Sequence, residues 1–241
     1  MKFLVGIHGK KRSGKNTAAD VFHDNFNFKN YAFADALKEQ MYDLDPDFSH
    51  GYEIYSLKAV IDSIGWELAK EKYPEVRRLL QRYGTEVMRK HFGEDVWVNL
   101  LFKKLALENP ENVTISDVRF ENEVRCIKEL GGFLIKIKSN RTNNSDDHAS
   151  EKDLPDDLFD FVIENNSNLE TYQKNVFDLA YGIVEGKVSS RPYIGSKYLK
   201  NEDGSLKTSS DGTPIKHYVD YENLRDALFV NCNLSCLPLS K

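Results

Sequence analysis

Hydrophobic positions along the chain fall into two patterns that alternate from the N-terminus onward. Short apolar or β-branched runs predict strands at residues 3–7, 31–33, 113–118, 133–137 and 161–163. Apolar residues at helical spacing predict helices at residues 16–26, 36–42, 57–73, 75–91, 95–108, 121–130 and 169–184. Because strands and helices alternate, the pattern predicts an α/β fold with right-handed crossovers and a parallel sheet covered on both faces.

Three segments lack either pattern. Residues 45–53, DPDFSHGYE, are polar and are predicted to be irregular. Residues 139–151, SNRTNNSDDHASE, have the composition of a loop, and a loop of this length in a compact domain is typically a functional lid or disordered. Residues 186–241 are rich in Ser, Gly, Lys and Tyr and contain two Asp-Gly turn signals. We therefore expect a main domain at residues 1–185 and a C-terminal extension that forms hairpins against it or an arm to another subunit.

Length and charge narrow the class of protein. At 241 residues with 40% hydrophobic content, the chain can bury a core of ordinary size in one domain with an appendage. The formal net charge of -5 argues against a general affinity for nucleic acid. Any anion that the protein binds must therefore be met by locally clustered Lys and Arg.

The cysteines and histidines argue against a metal-binding protein, and the N-terminal residues argue against a secreted one. Cys126, Cys232 and Cys236 form no Cys-x-x-Cys pair, and the six histidines show no His-x-x-x-His spacing. We therefore expect no metal site built from Cys or His. The apolar run before His8 is too short for a signal peptide, and no other run approaches membrane-spanning length. We expect a cytoplasmic protein with no membrane partner.

The phosphate loop, residues 9–17 with the sequence GKKRSGKNT, lies between the first predicted strand and the first predicted helix. Gly9 and Gly14 permit a backbone that turns successive N–H groups toward one anion, and the helix that follows adds its positive end. Lys15 would reach the β- and γ-phosphates of a nucleotide. A solvated basic turn would explain Lys10, Lys11 and Arg12 but not the two glycines.

Asn16 occupies the position at which a Ser or Thr hydroxyl normally binds Mg²⁺. Asn offers only a neutral amide oxygen there, and Thr17 is one residue further on. Either Asn16 ligates Mg²⁺ through that oxygen, or phosphate oxygens, water and a carboxylate elsewhere hold the ion.

Two further clusters supply candidates for an acceptor site. The segment AFADALK, residues 32–38, follows the second strand, where open α/β sheets bind ligands; Asp35 either caps the next helix or contacts substrate. In EVRRLLQRYGTEVMRKHF, residues 75–92, Arg77, Gln81 and Thr85 share roughly one helical face. The remaining arginines of this helix, Arg78, Arg82 and Arg89, are typical of a solvated face. Gly84 costs about 1 kcal/mol relative to Ala in a helix, which predicts that another group approaches the backbone there.

A third cluster, SDVRFENE at residues 116–123, begins where a buried strand ends. Asp117 there can hold Mg²⁺ through water or orient the attacking oxygen, and the planar guanidinium of Arg119 can grip a phosphate bidentately. The alternative is an Asp-Arg ion pair that caps a helix at Phe120. The lid-like loop adds Arg141, which closure would bring onto the transferring phosphates while water is expelled.

Together these segments resemble the bacteriophage deoxynucleoside monophosphate kinases. GKKRSGKNT, FADALK, VRRLLQRYGTEVMR, Trp97 in EDVWVN, SDVRFENEVRCIKELGG and HASE stand in the order and rough spacing of that family, over residues 1 to about 185. In the family an asparagine or aspartate commonly follows the loop lysine, so Asn16 agrees with a working loop. Residues 45–66 match poorly, and the extension is not covered.

The resemblance implies a P-loop NTPase-type parallel sheet flanked by helices, as in nucleoside monophosphate kinases, with a C-terminal extension. It implies transfer of the ATP γ-phosphoryl group to a deoxynucleoside monophosphate with Mg²⁺, for DNA precursor synthesis. The implied ATP site comprises Gly9, Lys11, Arg12, Ser13, Gly14, Lys15, Asn16 and Thr17. The implied acceptor site comprises Ala34, Asp35, Lys38, Arg77, Gln81, Thr85, Trp97, Arg119 and Glu123, with Trp97 packing on base or sugar and with His148 and Glu151 in the lid. The implied catalytic residues are Lys15, Asp117, Arg119 and Arg141, and the implied Mg²⁺ ligands are Asn16 and Asp117.

Other functions stay open at this point. One is a P-loop kinase of another phosphorylated acceptor, such as phosphomevalonate or dephospho-coenzyme A. A second is a nucleotide-binding regulatory module with slow turnover, which the lid and the second basic cluster disfavour. A nucleic-acid-binding protein would need a basic surface that the composition does not supply. The sequence leaves both a homodimer and the accepted bases undecided.

Overall fold

The computed structural model describes residues 1–141 and 153–190. The predicted lid residues 142–151, which include His148 and Glu151, lie outside the described residues, as does the predicted extension beyond residue 190. Over the described parts the secondary structure follows the chain in this order: β1 (Phe3–Gly9), α1 (Lys15–Phe26), β2 (Lys29–Tyr31), α2 (Ala34–Leu44), β3 (Asp47–His50), β4 (Glu53–Ser56), α3 (Leu57–Lys72), α4 (Pro74–Gln81), a π-helical segment (Arg82–Arg89), α5 (Lys90–Phe92), α6 (Val96–Glu108), β5 (Asn112–Val118), α7 (Glu121–Glu129), β6 (Phe133–Lys138), a 3₁₀ turn (Asp156–Leu158), β7 (Phe161–Glu164) and α8 (Leu169–Val184).

The main sheet confirms the predicted α/β class. Five strands lie in the order β2-β5-β1-β6-β7, and every neighbouring pair is parallel. Alternate residues of β1 point to opposite faces: Leu4 packs with α6 and α7, whereas Val5 and Ile7 pack with α1 and α8. Both faces of the sheet are therefore covered, as strands with near-continuous apolar runs require.

The sequence prediction for residues 45–53 is wrong. Instead of an irregular segment, β3 and β4 form an antiparallel hairpin, with Gly51 at the turn in the left-handed region (φ 64°). Phe48 is buried, and its ring lies 5.8 Å from that of Tyr55 and 5.5 Å from that of Tyr73, measured between centroids. The hairpin therefore depends on an aromatic cluster that includes a residue about 20 positions further along the chain.

The predicted helix at residues 75–91 is present but not uniform. It begins at Pro74 as α4, continues as the π-helical segment and ends with the short α5. The second strand is also displaced: the sequence predicted it at residues 31–33, whereas β2 spans Lys29–Tyr31. Short π-helical segments inside α-helices are frequent at functional sites, and this one lines the cleft described below.

A bilayer is crossed by a helix of about 20 predominantly apolar residues. Among residues 1–141 and 153–190, no helix combines the length and the apolar character needed to cross one.

Candidate active site

Close contacts require both glycines of the phosphate loop, and backbone conformation also requires the second. A Cβ on Gly9 would lie 2.5 Å from Ser13 Oγ and 2.7 Å from the Ile137 carbonyl oxygen. Gly14 has φ 103°, and a Cβ there would lie 2.5 Å from Asn165 Nδ2. Arg12 also adopts a left-handed conformation, with φ 63°. The loop is therefore a tight turn that packs directly against β6 and the segment after β7.

Lys15 folds back over the loop that precedes it. Its Nζ donates to the Gly9 carbonyl at 2.7 Å and to the Lys10 carbonyl at 2.8 Å. The first hydrogen bond of α1 runs from Ala18 N–H to the Gly14 carbonyl, and an α-helix leaves the N–H groups of its first turn without intrahelical acceptors. The ammonium group and the start of α1 thus converge at one place, which is the arrangement that binds phosphate.

Two side chains from the C-terminal part of the domain support the loop, and the sequence did not identify either. Asn165 Nδ2 donates to the Ser13 carbonyl at 2.9 Å, and the Tyr172 hydroxyl donates to the Gly14 carbonyl at 2.9 Å. Tyr172 is fully buried, and burial raises the pKa of its hydroxyl. No sequence signal marks these residues, because both act on backbone carbonyls more than 150 positions away.

We expect Tyr172→Phe to raise the KM for ATP several-fold and to lower the free energy of unfolding by about 1 kcal/mol. The substitution removes the hydroxyl donor to Gly14 but keeps the buried ring, so the loop loses one support without a cavity. Steady-state kinetics and urea unfolding measure the two effects. Tyr181→Phe is the matched control, because Tyr181 lies on the same helix with its side chain partly exposed. An unchanged KM for ATP in Tyr172→Phe would contradict a role in loop support.

Strand pairing places the phosphate loop beside the Asp117–Arg119 segment. His8, one residue before Gly9, pairs with Val118 in the parallel register of β1 and β5. The His8 Nδ1–H donates to the Val118 carbonyl at 2.8 Å, and burial lowers the pKa of the His8 imidazole. The carboxyl ends of the two strands therefore meet at the edge where open α/β sheets bind ligands.

Asp117 connects the end of β5 to the start of α2. Its Oδ1 accepts the Phe33 N–H at 2.7 Å and its Oδ2 accepts the Ala34 N–H at 3.0 Å. The alternative of an ion pair capping a helix at Phe120 is thus replaced by a carboxylate that caps α2. Asp35 behaves similarly, since its Oδ2 accepts the Ala32 N–H at 2.9 Å. Asp35 does not line the cleft, so the structure favours capping over substrate contact for this residue.

A basic cleft opens between the ends of β2 and β5, the helix from α4 through the π-helical segment, and α6. It has about 780 Å³ of space, counted out to open solvent. Nine of the predicted site residues line it: Ala34, Lys38, Arg77, Gln81, Thr85, Trp97, Asp117, Arg119 and Glu123. Residues that the sequence did not assign to the site also line it: Phe33, Leu37, Lys70, Leu80, Gly84, Arg89 and Phe120.

The cleft is locally positive in a chain with a formal charge of -5. Five cationic side chains and only two carboxylates contribute to its lining. Lys70, one of the residues that the sequence missed, is largely buried; burial lowers the pKa of its ammonium group, and Glu67 at 2.5 Å opposes the shift. The cleft therefore supplies the clustered positive charge that the composition required for anion binding.

Trp97 forms part of the cleft wall beneath the π-helical segment. It is 4% exposed, and its Nε1–H donates to the Gly84 carbonyl at 3.0 Å. A Cβ on Gly84 would lie 3.2 Å from Leu37 Cδ2. The predicted close approach to Gly84 is thus confirmed, and the approaching groups are Leu37 and Trp97.

We expect Trp97→Phe to lower the free energy of unfolding by about 2 kcal/mol, through the lost hydrogen bond and the reduced ring volume. The KM for the acceptor should rise because the π-helical segment loses its support. If Trp97 acted only by packing its ring on the base, phenylalanine would keep that KM near the wild-type value. Trp66→Phe is the matched control, because Trp66 is partly buried on α3 and does not line the cleft.

The remaining predicted residues are placed as follows. Lys11 and Asn16 are exposed on the phosphate loop, Thr17 is half-buried, and Ser13 is buried. Arg12 pairs with Glu71 at 2.5 Å, with both side chains exposed. Arg141 Nη2 donates to the Ser167 carbonyl at 2.9 Å, so Arg141 lies beside the segment after β7 and does not line the cleft. Within the described residues, no group of three or more His, Cys, Asp and Glu side chains is arranged to hold a metal ion.

Fold and site together define a class of protein. A phosphate loop between the first strand and first helix of a parallel sheet, with a second basic site at the adjacent strand ends, is the organisation of a P-loop kinase. The sequence profile described as "Deoxynucleotide monophosphate kinase" matches residues 3–58 and 51–176. The chain belongs to the deoxynucleotide monophosphate kinase family.

Two relatives found by sequence agree with this assignment. A protein of Acanthamoeba polyphaga mimivirus that carries the family name is 32% identical over 188 residues, which cover 72% of this chain and 93% of the relative. The deoxynucleoside-5'-monophosphate kinase of Escherichia phage T5 is 26% identical over 240 residues, covering 71% of this chain and 95% of the relative. Among solved structures, a dephospho-CoA kinase from Campylobacter jejuni is similar with a TM-score of 0.43 and 15% identity, over 78% of this chain and 100% of that chain.

Proposed function

We propose that the protein transfers the γ-phosphoryl group of ATP to the phosphate of a deoxynucleoside monophosphate, giving the diphosphate and ADP. The observation that carries the proposal is the adjacency of two anion sites. The phosphate loop and the Asp117–Arg119 segment end neighbouring strands, paired through His8 and Val118, and Arg119 lines the basic cleft. Donor and acceptor phosphates bound at these sites would therefore lie next to each other.

The cleft suits a nucleotide acceptor because its lining combines charge with apolar surface. Arg77, Lys38 and Arg119 offer positive charge for the phosphate. Phe33, Leu37 and Trp97 contribute apolar surface to the lining, which suits base and sugar. Gln81, at the end of α4, and Thr85, in the π-helical segment, also line the cleft and carry hydrogen-bonding groups.

The proposed reaction needs no covalent intermediate with the protein. The attacking oxygen of the acceptor phosphate is already anionic, so no general base is needed, and catalysis consists of alignment and neutralisation of the transferring group. Lys15 would neutralise the donor phosphates from the loop, and Arg119 would contact both donor and acceptor from the strand edge. The apolar walls would exclude water, which is a competing acceptor.

The residues present fit a Mg²⁺ ion bound mainly through substrate. Asp117 offers a carboxylate at the cleft, and the first turn of α1 offers the amide oxygen of Asn16 and the hydroxyl of Thr17. These are hard oxygen donors, and Mg²⁺ commonly takes one or two protein ligands beside phosphates and water. When bound, the ion would neutralise charge on the phosphate oxygens.

The test is an assay of ADP release with ATP and Mg²⁺ and each of the four deoxynucleoside monophosphates. Ribonucleoside monophosphates, dephospho-coenzyme A, phosphomevalonate and a reaction without acceptor serve as comparisons. We expect at least one deoxynucleoside monophosphate to stimulate turnover well above the acceptor-free rate. Tight ATP binding without any acceptor stimulation would instead indicate a regulatory module. Stimulation by one of the non-nucleotide acceptors alone would indicate a different kinase.

A further inference from the structure

Arg89 is a buried cation at the edge of the basic cleft that the sequence assigned to a solvated face. It is 9% exposed and ends the π-helical segment. Its Nη1 donates to the Glu94 carbonyl at 2.8 Å and to Asn122 Oδ1 at 3.2 Å, and its Nη2 pairs with Glu123. The guanidinium carbon lies 3.8 Å from the centroid of the Phe120 ring. One side chain thus connects the helical wall of the cleft to the start of α7.

Glu123 passes this connection on to the backbone that carries Arg119. Its Oε2 accepts the Arg119 N–H at 2.7 Å and the Phe120 N–H at 3.1 Å, while its other oxygen faces Arg89. Burial raises the pKa of the Glu123 carboxyl to about 7, and Arg89 and the two N–H groups oppose that shift. Arg89 therefore helps to keep Glu123 ionised, and an ionised carboxylate is the stronger acceptor for the two N–H groups.

The π-helical segment changes where its residues lie around the helix axis. In an α-helix, five positions correspond to a rotation about 140° beyond a full turn, which would separate Gly84 and Arg89 around the axis. In a π-helix, hydrogen bonds join residues five positions apart, so the two residues come to the same side. Both line the cleft, whereas Arg82, at the start of the segment, is exposed beside Glu86.

We propose that Arg89 is a positioning residue for phosphoryl transfer, which fixes the Arg119 guanidinium at the junction of the two phosphate sites by holding Glu123 against the Arg119 and Phe120 N–H groups. The proposal rests on the proposed kinase function. Stability alone is a weak reason for this arrangement, because buried ion pairs are often no more stabilising than apolar residues of similar volume. The pair does, however, fix the backbone from which Arg119 projects.

A double-mutant cycle with Arg89→Lys and Arg119→Ala tests the proposal. Lysine keeps the charge but cannot reproduce the planar fork that bonds Glu94, Asn122 and Glu123 together. We expect Arg89→Lys alone to lower kcat about 10-fold or more at saturating ATP and acceptor, with little change in the KM for ATP. In the Arg119→Ala background, the same change should lower kcat less than about 2-fold, because the group that Arg89 positions is absent.

A purely structural role predicts a different result. Arg89→Lys would then lower kcat by the same factor in both backgrounds, and that outcome would overturn the proposal. Urea unfolding of all variants measures any loss of stability, and Arg82→Lys, on the same helix but exposed, should leave kcat unchanged. If Arg89→Lys does not fold, Glu123→Gln takes its place in the cycle with the same expectations. If the wild-type protein shows no acceptor-stimulated turnover, the kinase function itself is refuted. If the wild type is active but the effects of Arg89→Lys and Arg119→Ala on kcat simply multiply in the double variant, only the role of Arg89 is refuted.

Discussion

Lys15→Ala is expected to lower kcat by about two decades or more at saturating ATP and acceptor. Lys15 Nζ lies within 2.8 Å of the Gly9 and Lys10 carbonyl oxygens, so two backbone acceptors hold the ammonium group over the phosphate loop. A charge fixed in this way stabilises the transferring phosphates without reorganisation. Two decades correspond to about 2.7 kcal/mol of transition-state stabilisation.

The loss should concern catalysis and ATP affinity rather than folding. Lys15 begins α1 and is half-buried, and alanine is a good helix former at that position. The rate of ADP formation at saturating substrates gives kcat, and urea unfolding gives the free energy of unfolding of the same preparation. Lys174→Ala is the matched control, because it also removes one lysine, from an exposed pair with Asp178 on α8. A folded Lys15→Ala protein with near-normal kcat would count against the phosphate-loop assignment.

Much of the fold could be predicted because the apolar pattern is local. The strands at Phe3–Gly9, Asn112–Val118 and Phe133–Lys138 contain short apolar or β-branched runs that the sheet buries, and α8 (Leu169–Val184) was predicted at its observed ends. Each of these elements has a pattern within its own sequence, so it can be recognised without knowing its contacts to other elements.

The β3–β4 hairpin could not be predicted because most of its side chains give no pattern. Ile54 is 73% exposed, so apolar character on β4 does not mark a buried face. The residue that buries Phe48 is Tyr73, which comes from the end of α3. The hairpin is thus stabilised by a contact between segments that the sequence alone does not bring together.

The π-helical segment and Arg89 were missed for a related reason. An eight-residue π-helix looks in sequence like the α-helix around it, so its altered rotation per residue has no local signal. Arg78 and Arg82 on the same helix are exposed, as the sequence predicted for all three arginines. What distinguishes Arg89 is a carboxylate and an aromatic ring more than 30 positions away. Nine residues that line the cleft could be predicted from the sequence, but not the contacts that hold them.

The second large effect is expected for Arg119→Ala, which should also lower kcat by about two decades or more. Arg119 lines the basic cleft at the end of β5, next to the strand that carries the phosphate loop. A planar guanidinium there can bond oxygens of donor and acceptor together, and its contribution is greatest when charge spreads over the transferring group. The expected loss is therefore mainly in kcat, with smaller changes in the two KM values.

Arg119→Ala does not remove the hydrogen bond that its backbone makes to Glu123. The Arg119 N–H bond to Glu123 is made by the backbone, so alanine keeps the start of α7 in place and removes only the side chain. Arg119→Lys separates charge from geometry: lysine keeps one positive charge but loses the planar fork, and we expect it to recover only a small part of the lost kcat. Arg125→Ala is the matched control, because Arg125 lies on α7, pairs with Asp95 and does not line the cleft. Near-normal kcat in Arg119→Ala would mean that donor and acceptor phosphates meet elsewhere, and the proposed alignment of the two sites would then be wrong.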